Sequence, residues 1–78
     1  MSIGVDLSGA LVDAFGLTPA EADIVLRLNS GENTRAIAEA RQSSIHTVRN
    51  QLKAAMTKLA VRRQVDVVRL IEGLRRAT

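Results

Sequence analysis

Ser43-Ser44-Ile45-His46-Thr47-Val48-Arg49-Asn50-Gln51-Leu52-Lys53 is the stretch that decides how this chain folds. Ser44 has the hydroxyl of a helix N-cap, able to accept a backbone N–H from the first turn. From there each residue turns by about 100°. Val48, Leu52, Ala55 and Leu59 then share one stripe, with Ile45 beside it, in the spacing of a buried helix face. His46, Asn50, Lys53 and Thr57 fall on the opposite side, with Arg49 on its flank. That side carries no acid. It offers cationic donors, an amide and an imidazole, the groups that grip phosphates and read base edges. The bland alternative is a solvated helix face that happens to be basic, since polar outer faces are the rule on surface helices.

Working outward, Thr18-Pro19-Ala20-Glu21 has the capping-box layout, with proline at the first helical position. It predicts a helix that buries Ala22, Val25 and Leu28 and ends at Asn29-Ser30-Gly31. Asn33 or Thr34 opens a short helix to about Ala40, with Ile37 and Ala38 inward. Gln42-Ser43 makes a tight link to the helix from Ser44 to about Leu59. Two helices so joined, the second basic on its outer face, form a helix-turn-helix over Thr34 to Lys53. After Ala60-Val61, a last helix starts at Arg62 or Arg63 and runs to about Arg75. Its apolar residues Val65, Val67, Val68, Leu70, Ile71 and Leu74 exceed one narrow stripe. Either a partner or the N-terminal segment covers the surplus. Residues 1–7 show no strong pattern, and Ser8 to Phe15 predicts a short helix broken by Gly16. The expected organisation is an N-terminal extension over 1–16 and an all-α, four-helix domain over 17–78.

Bulk properties narrow the function classes. Seventy-eight residues make one small domain. There is no cysteine and only one histidine, so neither a thiolate nor a histidine-rich metal site is expected, and no cofactor is called for. A single aromatic residue, Phe15, argues against single-strand binding by base stacking. No apolar run suits a membrane span, and the start lacks a signal-peptide layout, so a cytoplasmic location is expected. The net charge of +3 conceals a segregation. Residues 1–34 hold five acids against Arg27, and residues 35–78 hold ten bases against three acids. A polyanion partner for the second half follows.

These residues bear a family likeness. Leu17-Thr18-Pro19, Glu21, Gly31, Ile37-Ala38-Glu39, Ser44, Thr47-Val48-Arg49-Asn50, Leu52 and Lys58-Leu59 resemble the LuxR-type (GerE-like) DNA-binding domain over roughly Leu17 to Ile71. The resemblance implies a helix-turn-helix regulator of bacterial transcription that binds double-stranded DNA, with the third of the four helices in the major groove. It places His46, Arg49, Asn50 and Lys53 at base edges. Thr34, Arg35, Thr47, Lys58, Arg62 and Arg63 are placed at phosphates. It also implies a homodimer through the C-terminal helix, for which Val67, Leu70, Ile71 and Leu74 are the expected contacts.

The chain departs from the family pattern at several positions. Arg41, ending the second helix, and Ser43, in the turn, stand where apolar residues are usual. Ala60 stands where glycine is frequent, Ala20 and Gln64 where arginine is common, and Ala36 where an acid often sits. Arg41 is expected to lay its stem on the core and its charge in water. The polar turn and the apolar girth of the last helix motivate an alternative from another class, a small interaction module that dimerises with a larger related regulator and antagonises it. An enzyme is the least favoured class. Ser44 is better used as a cap than as a nucleophile, and no glycine-rich phosphate loop follows a strand.

Overall fold

The computed structural model describes residues 7–77. Those residues form five helices and no strand: α1 (Leu7–Phe15), α2 (Pro19–Asn29), α3 (Thr34–Arg41), α4 (Ile45–Leu59) and α5 (Gln64–Arg76). The all-α architecture is as expected, and the four expected domain helices are α2 to α5. Residues 1–6, part of the expected N-terminal extension, lie outside the described residues.

Three helix starts are built from the capping residue the sequence offers. Thr18 caps α2: its hydroxyl accepts the Glu21 N–H at 3.1 Å, and the Glu21 carboxylate accepts the Thr18 N–H at 2.9 Å. Asn33 caps α3 by accepting the Ala36 N–H at 2.8 Å. Ser44 caps α4 by accepting the Thr47 N–H at 3.0 Å. Such caps satisfy N–H groups that otherwise lack an intrahelical partner. Arg63 precedes α5 without a side-chain cap.

The ends are equally local. Gly31, at φ +98°, turns the chain after α2. Helices α3 and α4 both close on a left-handed residue that is not glycine, Gln42 at φ 54° and Ala60 at φ 60°. In both, the next residue's N–H reaches back to the helix: Ser43 to the Ala38 carbonyl at 2.9 Å, Val61 to the Met56 carbonyl at 3.0 Å. This is the Schellman closure.

Helix α2 is the centre of the molecule. It packs against all four other helices, while α3 and α4 pack on each other and α5 also touches α4. Ile24 and Val25 of α2, Ile37 of α3, Val48 and Ala55 of α4, and Val67 and Ile71 of α5 are wholly buried. A fully buried valine or isoleucine side chain contributes about 1.5–3 kcal/mol. The predicted stripe of α4 is the buried one, with Val48, Leu52, Ala55 and Leu59 all inward.

Two expectations about the chain's ends need revision. The short N-terminal helix is no appendage: Leu11 is completely buried, and Val12 and Phe15 pack on the same core. The helix expected from Ser8 to Phe15 is thus present, as α1, and packs into the domain. Of the four expected dimer contacts on the last helix, Val67 and Ile71 face the core and not a partner. Val67 and Ile71 have no exposure at all, and Leu70 and Leu74 are half-buried against the core. The monomer uses that side itself, because α5 must cover both α2 and α4. The apolar residue that α5 leaves open is Val65, 47% exposed, with half-buried Val68 one turn along.

Candidate nucleic-acid interface

The outer side of α4 projects away from the core. His46, Thr47, Arg49, Asn50, Lys53 and Thr57 are all exposed. The Ser44 hydroxyl donates to the Thr47 hydroxyl at 2.9 Å, which holds Thr47 beside the helix start. His46 Nε2 and Asn50 Nδ2 lie 3.2 Å apart, one helical turn from each other. With Nε2 unprotonated, the imidazole accepts from the amide, leaving the Asn50 carbonyl oxygen free to accept elsewhere.

The cations fall into two groups. One group is tied to acids. Lys58 Nζ donates to Glu21 Oε1 at 2.7 Å, joining the end of α4 to the start of α2. Arg41 donates to Asp23 Oδ2 at 2.6 Å, and Arg27 donates to the same oxygen at 2.9 Å and to Glu32 at 3.3 Å. Arg63 reaches Asp66 at 3.5 Å. Burial pushes the Glu21 carboxyl up, but hydrogen bonds from Lys58 and from the Thr18 backbone, with the Lys58 charge, bring it below its ordinary range. Burial likewise works against Asp23, and the two arginines outweigh it. The Arg27 guanidinium is raised in turn, chiefly by its hydrogen bond to Asp23. The other group, Arg35, Arg49, Lys53 and Arg62 among the expected contacts, makes no ion pair among the described residues.

The structure brings four of the expected DNA residues together. Thr34 at the start of α3, Arg49 and Lys53 on α4, and Arg62 after α4 border a single open groove of about 530 Å³. Lys58 stands apart from that group, since its ammonium is held by a nearly buried carboxylate. The turn that aims α4 is also clarified. Arg41 does not merely snorkel but closes an ion pair across the helix-turn-helix to α2. The Ser43 hydroxyl is buried with no hydrogen-bond partner. Sequence reasoning did not anticipate the groove's apolar lining by Leu52, Met56 and Val61. No local pattern signalled it: Ala60 closes α4 in a left-handed conformation, which folds Val61 back towards Met56.

The GerE family model, described as bacterial regulatory proteins of the luxR family, matches residues 16–71. The chain belongs to the luxR family. As a LuxR-family domain it has the general role of a DNA-binding regulator of transcription. The match begins at Gly16 and so excludes α1, although Leu11 of α1 sits in the same core as the LuxR-family helices. No curated protein and no solved structure matches this LuxR-family chain. Among the described residues, no helix is long and apolar enough to cross a membrane, and no group of His, Asp or Glu has the arrangement of a metal site.

Proposed function

We propose that the chain recognises a specific double-stranded DNA sequence by laying α4 in the major groove. The observation that carries this reading is the outer face of α4: exposed, without an acid, and bearing Arg49 and Lys53, which make no ion pair among the described residues. Arg49 has the donor fork that suits a guanine edge, and Asn50 the amide that suits adenine. His46 stands at the start of the same face, and Lys53 reaches a base or a phosphate further along. Thr34, Arg35, Thr47, Arg62 and Arg63 flank it as phosphate contacts. Lys58 serves the fold first, through Glu21.

The dimer is proposed through α5, but on Val65 and Val68 rather than on the side that faces the core. Two valines are a small patch. A stable interface buries roughly 800 Å² per partner. The dimer therefore forms on DNA, where two half-sites hold the copies together, and the free chain is a monomer at low concentration. The antagonist alternative loses one of its motives, because Asp23 satisfies the Arg41 charge in the turn.

Selection of bound sequences from a random DNA pool, followed by binding at graded salt, tests the reading. The expected outcome is a short motif with two-fold symmetry and an affinity that falls steeply with salt. Binding without sequence preference at any salt would overturn it.

A further inference from the structure

The groove beside α4 is more than a rim for DNA. Its floor is Leu52, Met56 and Val61, and its edges are Arg49, Lys53 and Arg62. No acid lines it. Its volume of about 530 Å³ falls within the range of small-molecule sites, which combine an apolar lining with a few placed polar groups. A sugar-phosphate strand uses the edges and wastes the floor. A neutral apolar molecule uses the floor and wastes the cations. Both are used by a molecule with an apolar body and one anionic head. Met56 suits such a body, because a thioether side chain adapts to varied shapes. The three cations of the edge make no ion pair among the described residues, whereas Arg27, Arg41, Lys58 and Arg63 do.

We infer that this groove is a binding site for a small amphipathic anion, a carboxylate or phosphate head on an aliphatic or aryl body, whose occupancy competes with DNA. The head sits among Arg49, Lys53 and Arg62, and the body lies over Met56 and Val61. Competition follows from shared groups, since Arg49 and Lys53 cannot serve the head and the duplex at once. That second half of the inference rests on the DNA reading above. The first half does not.

Titration of the full chain with decanoate below its micelle-forming concentration, followed by amide chemical shifts, tests the site. Shifts should cluster at Thr34, Lys53, Met56 and Val61, and decanol should produce none of them at the same concentration. Arg62→Gln should weaken decanoate binding about five-fold or more, because a charge-assisted contact to the head is lost. Arg76→Gln, an exposed cation away from the groove, should leave it unchanged. Met56→Gln provides a second variant, which should weaken binding by spoiling the floor. Decanoate should also raise the apparent Kd for a selected DNA fragment. Shifts scattered over all exposed cations, equal binding of decanol, or equal effects of Arg62→Gln and Arg76→Gln would overturn the site. An unchanged Kd for DNA in saturating decanoate would overturn the competition. Should the ligand-free chain bind no DNA, the DNA reading fails, and the shift map still decides the groove.

Discussion

The two sides of this molecule use the same residue types for opposite ends. On the α2 side, Lys58, Arg41 and Arg27 are each held by a carboxylate, and their charge is spent inside the fold. On the outer side of α4, Arg49 and Lys53 meet no acid among the described residues and keep their charge for a partner. Net charge alone does not distinguish them. What distinguishes them is whether Glu21 and Asp23 lie within reach once the helices dock. A basic half of a chain is therefore not uniformly an interface, and only its untied cations offer affinity without costing stability.

The largest expected effect separates the two sides directly. Arg49→Ala should cost about 1–3 kcal/mol of DNA binding and relax preference at one base pair, and the double variant with Lys53→Ala should lose about twice that. Thermal melting should show both variants as stable as the parent. A melting temperature lowered as much as the affinity would break the comparison.

Next comes the tied side. Glu21→Ala removes half the capping box on α2 and the tether from Lys58, and should destabilise the chain by about 2 kcal/mol in a denaturant titration. Lys58→Met keeps the cap and should cost less. If Lys58→Met instead left stability intact and weakened DNA binding alone, Lys58 would belong with the untied cations.

The same pair predicts a pH dependence. Both Glu21 and Asp23 are shifted below their ordinary values in the fold. Their contribution is thus complete above the ordinary carboxylate range and is lost as pH falls through the lowered folded values. Stability should decline on acidification from about pH 5 downward. Asp23→Asn should flatten that decline, and an unchanged slope would remove Asp23 from the account.

The smallest effects concern the two left-handed helix ends. Ala60→Gly should stabilise the chain by about 1 kcal/mol, since a side chain at φ 60° is strained and glycine is not. Ser43→Ala should stabilise by about 1 kcal/mol by deleting a buried hydroxyl without a partner. The ends share one backbone geometry, but Val61 brings an apolar side chain to its closure where Ser43 brings an orphan hydroxyl. Melting curves check both, and destabilisation by Ser43→Ala would mean that its hydroxyl has a partner in solution.

Much of this was legible along the chain because it is local. The capping threonine, asparagine and serine announce three helix starts, and the spacing of Val48, Leu52, Ala55 and Leu59 announces the buried side of α4. Caps and stripes act within one or two turns, so neighbours in sequence suffice to see them. The departures at Arg41, Ser43 and Ala60 were visible too, but not their consequences. Arg41 proved satisfied, Ser43 unsatisfied, and Ala60 left-handed.

By itself the sequence determined that this chain is all helical, where its helices begin, and which side of α4 faces out. Each of those follows from hydrogen bonds and burial repeating every few residues. Only the tertiary structure decided which cations are free, which side of α5 is spent on the core, and that α1 belongs to it. Lys58 and Glu21 are 37 positions apart, and Arg41 and Asp23 are 18 apart. No local pattern encodes such pairs, because they exist only when α2 lies against α3 and α4. The untied face of α4 keeps its charge because, among the described residues, that docking brings no acid to it.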